Sequence, residues 1–390
     1  MNNVKNNIWK LYTIKGLMWF MVAMPIIVLF FQENGLSLKE VMILQGSYSL
    51  MVALMEIPSG YVADFFGRKK TIILGTTFCF LGFTLFSFSF GFWEFFIAEI
   101  LLGLGNSFIS GSDSAILYDS LLESNQSDQY TKIEGKTYSI GNFAEAGAGI
   151  LGGFLAEISL RYPWYIQAVI AAIAIPFAIS LVEPKSFQKK LEKSFSTILG
   201  VVRYTLIENK LLKWFTLFSA ITGVATLSMA WFAQPFFKEV NVPIKWFGIL
   251  WAGLNFSVGL SSYHAHKFEK RTNKNTLLFL IGLSISICFC FLGFSASQFG
   301  IFWILIIYLV RGVATPVLRN YINEITSSEI RATVLSIRSF IIRASFAITA
   351  PFLGWIADLY TISESFWILG TIVAVISLAC TLKLYSLSKY

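Results

Sequence analysis

Apolar runs about as long as a bilayer is thick follow one another along the whole 390-residue chain, separated only by short polar intervals. They fall near residues 14–32, 40–63, 71–91, 94–122, 136–157, 163–182, 211–237, 244–266, 275–295, 298–323, 331–357 and 363–384. A helix needs about 20 mostly apolar residues to cross the hydrocarbon core. In lipid, an open chain can satisfy its backbone groups only within its own helix. The fold class that follows is an all-α polytopic membrane protein with twelve transmembrane helices. Composition points the same way. Charged residues make up 13% and hydrophobic ones 56%, whereas a soluble domain carries roughly 25% charged residues.

The Lys and Arg residues orient the chain. With the N-terminus inside, they collect at cytoplasmic ends and loops. The exceptions are Lys39, Arg161, Lys238 and Lys245 outside, and Arg311, Arg319, Arg338 and Arg343 within or at the edges of spans ten and eleven. The positive-inside rule then places both termini in the cytoplasm of a cell (inner) membrane protein. It also accounts for the net charge of +8 without nucleic acid as a partner. Lys5, Lys10 and Lys15 before an apolar stretch resemble the start of a signal peptide. No small-residue cleavage site follows, so an uncleaved first helix is expected. The four cysteines lie inside apolar spans and read as small hydrophobes, with no metal site.

The longest polar interval divides the spans six and six. Residues 1–182 and 211–390 read as two bundles, and 183–210 as a cytoplasmic linker with an amphipathic helix around 194–207. A short pattern recurs at the end of every third span, with a small residue, an aromatic, an aliphatic or His, Ala, and then a polar residue. Its copies are Gly60-Tyr61-Val62-Ala63-Asp64, Gly153-Phe154-Leu155-Ala156-Glu157, Ser262-Tyr263-His264-Ala265-His266 and Gly354-Trp355-Ile356-Ala357-Asp358. Because three spans reverse direction, consecutive units are inverted. The two bundles are thus built from four inverted three-helix repeats, a plan common in secondary transporters.

Gly60, Asp64, Gly67, Arg68 and Lys69 match the G-x-x-x-D-x-x-G-[RK]-[RK] signature of the major facilitator superfamily, which the chain resembles over nearly its whole length. The resemblance implies two bundles rocking about a central site. It also implies a cytoplasmic charge latch made by Asp64, Gly67, Arg68 and Lys69 with span eleven. Two signatures of the drug–proton antiporter branch are degenerate here. Glu99 stands where that branch has an arginine four residues before Gly103, and Ala148-Gly149-Ile150-Leu151-Gly152-Gly153 keeps the final glycines of its span-five motif without the proline.

Ionisable groups inside a membrane are costly and point to function. The resemblance makes spans one, four, seven and ten line the cavity. Asn106, Ser110 and Asp113, at i, i+4 and i+7, would share one face of span four. Carboxylates taken out of water exchange protons nearer neutrality than solvated ones. Asp113 is therefore a proton-coupling candidate, the alternative being a carboxylate held permanently by a cavity arginine. Glu145, among Ala144, Ala146, Gly147 and Ala148, is a second carrier or a counter-ion. Arg311 is either that counter-ion or an anchor for an anionic substrate. Glu56 before Pro58 reads as gating or packing, and Asp119 as a solvated or capping group. Trp19, Met24, Trp231 and Gln234, with Asn106, Ser110, Thr315, Arg338 and Arg343, are candidate substrate contacts, although aromatics this abundant also serve packing and lipid contact. His264 and His266, beside a basic cluster, read as latch-like.

No Walker-type loop or nucleophile–base pair is present in the sequence, so neither an ATP-driven pump nor an enzyme is expected. The expected function is secondary transport, with proton-coupled efflux of a small amphiphilic compound or drug. The chain would act as a monomer, with protons, a small-molecule substrate and the lipid bilayer as partners and no cofactor. Transport of an anionic metabolite, lipid precursor or siderophore is one alternative, and a non-transporting membrane sensor is another.

Overall fold

A computed structural model describes residues 4–184, 195–294, 296–327 and 330–387. Helices account for the described residues apart from turns: α1 (Asn7–Trp19), α2 (Ile27–Glu33), α3 (Leu38–Phe66), α4 (Arg68–Phe88), α5 (Phe92–Ile109), α6 (Ser112–Glu123), α7 (Tyr130–Ile158), α8 (Tyr162–Ser180), α9 (Phe195–Arg203), α10 (Lys210–Glu239), α11 (Lys245–Arg271), α12 (Lys274–Phe294), α13 (Gly300–Glu324), α14 (Arg331–Leu359) and α15 (Ile362–Leu387). Nine stretches among the described residues are long and apolar enough to cross a membrane, including Val4–Glu33 and Phe92–Glu123, each containing a break. The long helices α3, α7 and α11 bring the spans to the expected twelve.

Local chemistry sets the boundaries. Ser37 and Glu40 form a reciprocal capping box at the start of α3: Ser37 N–H donates to Glu40 Oε2 at 2.9 Å, and Glu40 N–H to Ser37 Oγ at 3.2 Å. After α2, Gly35 takes φ 84°, and Leu36 N–H reaches back to Phe31 O at 3.1 Å. Asn125 and Asn241 end α6 and α10 the same way, at φ 55° and 57°. These are Schellman endings, in which a left-handed residue lets the next amide satisfy an orphan carbonyl. Residues 195–203 form the helix expected in the second part of the linker, continued by a π turn over Tyr204–Glu208. Linker residues 185–194 lie outside the described ones.

Two spans differ from the continuous rods read in the sequence. Span one starts earlier, at Val4, and is interrupted over 20–26, where Met24-Pro25-Ile26 forms a single 3-10 turn. Span four breaks at Ser110-Gly111, with Gly111 at φ 83°. A single helical face through Asn106, Ser110 and Asp113 therefore does not exist, because the turn rotates α6 relative to α5 and leaves Ser110 exposed.

The chain forms two compact units. One comprises residues 1–36, 47–191 and 244–252; the other comprises 37–46, 192–243 and 253–390. The first residues of α3 group with the second unit because they pack on α14. There a Cβ on Gly354 would lie 2.7 Å from Leu38 O. Those of α11 group with the first unit because they pack on α7, where a Cβ on Gly153 would lie 3.0 Å from Lys245 O.

In the first unit, Phe30, Phe31, Phe86, Phe95 and Trp164 build an aromatic core, with Phe86 stacked on Trp164 at 4.5 Å between centroids. Arg161 closes its end. It donates to the final carbonyl groups around α4, Ser87 O at 3.0 Å and Ser89 O at 2.9 Å, and to Asn34 Oδ1 at 2.7 Å. Capping a helix C-terminus gives this arginine a structural reason for departing from the positive-inside pattern. In the second unit α10 is the central rod, buried over most of its length, and its Phe232 and Phe236 meet Phe366 of α15.

Candidate functional site

A cleft in the first unit, lined by residues of α1, α5, α6 and α7, gathers the polar chemistry. Its lining includes Lys15, Trp19, Asn106, Asp113, Glu134 and Thr137. The break before α6 places Asp113 in that helix's first turn, where its Oδ1 accepts the Ser114 N–H at 2.7 Å. Its other oxygen accepts from Lys15 Nζ at 3.1 Å, with the two side chains 14% and 21% exposed. Lys15 Nζ also stands 4.9 Å from the Trp19 ring centre, one helical turn along α1. Trp19 is held in turn by the Tyr138 ring at 5.8 Å and by Gly141, where a Cβ would come within 2.9 Å of the indole. Glu134 Oε1 accepts from Ser114 Oγ at 2.7 Å.

The interruption in span one is built into the fold. Val22 N–H, freed from the helix, donates at 2.8 Å to Oε1 of the buried Gln167 on α8. Gly152 of α7 lies so close that a Cβ there would collide with Val22 O. The glycines of span five, read above as a packing motif, accommodate this bend.

Around the signature loop, Gly67 adopts φ 97° and ψ 148° between α3 and α4. The Glu183 carboxylate sits against it, accepting Arg68 N–H at 2.9 Å and Lys69 N–H at 2.8 Å. A carboxylate on the first amides of a helix is favourable for hydrogen bonding and for the helix dipole. The Arg68 guanidinium pairs with Asp119 of α6 and donates to Ala115 O at 2.7 Å. Asp119 is therefore a buried ion-pair partner, not a solvated or capping group, because α6 turns it inward toward α4. Lys69 is half-buried and Glu56 exposed. Asp64 lies in α3, with its side chain outside the described ones.

The other expected residues are distributed between the units. Glu145 of α7 accepts from Trp251 Nε1 at 3.3 Å. Met24 forms the 3-10 turn of span one. Trp231 and Gln234 are buried in α10. Arg311 of α13 stands 5.9 Å from the Tyr308 ring centre, and Thr315, exposed, donates to Arg311 O at 2.8 Å. Arg338 Nε donates to Ser219 Oγ, while Arg343 is half-buried on the same helix, α14. His264 and His266 bond the Leu260 and Tyr263 carbonyls of their own helix. Asn106 uses its amide on Leu102 O at 3.2 Å.

The cation on Asp113 is Lys15, which the sequence reading grouped with the N-terminal basic cluster, and not an arginine. One signal was available, since Lys15 lies inside the apolar run at i−4 from Trp19. Glu134 and Gln167 carried no comparable sequence signal.

A family model described as Major Facilitator Superfamily matches residues 9–315. The tetracycline resistance protein, class B, of Escherichia coli is 23% identical over 291 residues, covering 73% of this chain and 71% of that protein. The quinolone resistance protein NorA of Staphylococcus aureus is 20% identical over 310 residues, covering 78% and 77%. Among solved structures, that of the nucleoside transporter NupG superposes with a TM-score of 0.81 at 16% identity, covering 98% of this chain and 99% of that one.

Proposed function

Because the chain belongs to the major facilitator superfamily, we propose that it is a secondary transporter of the cytoplasmic membrane, exporting a small amphiphilic compound in exchange for protons by alternating access. The observation that carries this reading is the Lys15–Asp113 pair, a carboxylate held by an ammonium group in an apolar bundle beside an aromatic wall. Similarity to two drug-resistance proteins supports export. Protonation of Asp113 would discharge the pair, free the Lys15 ammonium and alter the packing of α1 against α6. Glu145, bonded to Trp251, is the second coupling candidate, and Arg311 is the third residue of the coupling set. Asp64, Gly67, Arg68, Lys69 and Glu56 form the gate. The remaining lining residues contact substrate, and the sequence halves 1–182 and 211–390 act as the rocking bundles of a monomer with both termini inside.

The experiment is flux in proteoliposomes of known sidedness, with an imposed pH gradient and a panel of dyes, drugs and organic anions. Asp113→Asn or Glu145→Gln should abolish pH-driven flux while leaving folding intact, and wild-type rates in both variants would remove the mechanism. A second reading, transport of an organic anion, is favoured by one observation. Arg311, Arg338 and Arg343 have no carboxylate within ion-pair distance among the described residues of their unit. In that case Arg311→Ala should destroy affinity for the anions of the panel and leave the cations alone.

A further inference from the structure

The short helix α9 leaves an apolar side uncovered close to where the chain enters the membrane. It rests against α14 and buries Val201 and Thr205. Its opposite side carries Leu199, Arg203 and Ile207, each about one turn from the last. All three are exposed, Leu199 by 53% and Ile207 by 71%. From the structure we infer that this side of α9 docks on the headgroup layer of the cytoplasmic leaflet and binds anionic lipid. Arg203 is the residue that takes the lipid phosphate. The inference goes beyond the transport reading and depends only on the membrane placement and orientation of the chain.

Position, composition and charge together select a lipid surface as the occupant. The π turn after α9 ends at Glu208, and α10, which crosses the membrane, starts at Lys210. Asn209 fixes the corner between them. Its side-chain oxygen accepts Leu212 N–H at 3.0 Å, its own N–H donates to Tyr204 O at 2.9 Å, and its amide group donates to the Tyr204 hydroxyl at 3.0 Å. α9 is therefore held beside the start of span seven. In the first turns of that span Lys213 Nζ stands 5.9 Å from the Trp214 ring centre, and tryptophan collects at the membrane–water boundary.

Two exposed aliphatic side chains flanking a guanidinium suit that boundary, where Leu199 and Ile207 leave water and Arg203 stays among the headgroups. The cations Arg203, Lys210 and Lys213 outnumber the one nearby carboxylate, Glu208, which sets the sign of the lipid as negative. Arg203 Nε meets Glu208 Oε1 at 3.0 Å, with the two side chains 74% and 50% exposed. A pair so exposed is weak, whereas a phosphate accepts two parallel hydrogen bonds from a guanidinium. A headgroup can therefore take Arg203 from Glu208.

The test is amide hydrogen exchange across residues 200–207 of the full-length protein in nanodiscs. One set of discs is phosphatidylcholine alone, the other phosphatidylcholine and phosphatidylglycerol in equal parts. A basic residue close to an anionic surface contributes about fivefold in binding, so exchange in wild type should slow by about fivefold or more in the anionic discs. Arg203→Gln should remove about fivefold of that slowing and leave the value in phosphatidylcholine unchanged. Glu208→Gln frees Arg203 and should slow exchange further in the anionic discs. Leu199→Gln combined with Ile207→Gln should speed exchange in both sets. Unchanged exchange in α10 shows that each variant is folded.

Equal exchange of wild type in the two lipids overturns the proposal and points to another part of the chain or a soluble protein as the cover for α9. Slowing that survives Arg203→Gln overturns it too. So does faster exchange of Glu208→Gln in both lipids, which would make the ion pair a support of the helix alone. Inorganic phosphate added to phosphatidylcholine discs should have no effect, and slowing there would overturn the assignment to lipid.

Discussion

The Arg68–Asp119 pair gives the most quantitative prediction. The two side chains are 14% and 12% exposed, and Arg68 has a second acceptor in Ala115 O at 2.7 Å. Breaking one partner of a fully buried pair costs roughly 3–5 kcal/mol, because the remaining charge is left uncompensated. Residual solvent contact on both groups, together with the Ala115 carbonyl, lowers the expected cost of Asp119→Leu or Arg68→Met to about 2–3 kcal/mol. For a unit of 150–250 residues each kcal/mol moves the midpoint by roughly 2–4 °C, so each single variant should melt about 4–12 °C below wild type. The double variant replaces the pair by apolar side chains and should recover most of the loss. The assay is thermal unfolding followed by tryptophan fluorescence in one detergent at one protein concentration, read as a double-mutant cycle. Additive effects, with a coupling below about 0.5 kcal/mol, would refute the claim that this pair locks α4 to α6.

Two further substitutions test the bends and joints of the fold. Gln167→Leu should orphan the buried Val22 N–H and destabilise by about 1–3 kcal/mol, whereas Gln167→Glu keeps an acceptor and should lose less. Thermal unfolding of the two variants checks this, and equal melting would contradict it. Asp358→Ala removes the acceptor shared by Leu38 and Lys39 N–H, each at 2.8 Å, and should cost about 1 kcal/mol of N-cap stabilisation. Hydrogen exchange at these two amides should accelerate on substitution, and unchanged protection would show that another group caps α3.

The copies of the repeated pattern that end spans five and eleven acquire a common meaning here. In Gly354–Asp358 and Gly153–Glu157 the glycine admits the first residues of another helix. The carboxylate then meets that helix start, through the two amides of α3 in one case and through Lys245 of α11, at 4.0 Å, in the other. The sequence showed that the pattern recurred, but not that its last residue reaches the start of a neighbouring helix.

The twelve spans were legible because lipid makes each helix a local problem. A window of about 20 residues must satisfy its own backbone, and no distant residue can do that for it. The capping box Ser37–Glu40 and the left-handed ending at Gly35 were equally local. The candidate site was legible only in part. Asp113 and Trp19 could be read as candidates from residue type and position, yet the partner of Asp113, the bend at 20–26 and the turn at Ser110-Gly111 could not. Lys15 lies 98 residues from Asp113, Gln167 lies 145 from Val22, and Glu183 lies 115 from Arg68. The sequence alone determined how many helices cross and which stretches of the chain they occupy. The tertiary structure decided which of them break and which charges meet. The break in span one persists because a distant side chain, Gln167, takes up the amide that it sets free.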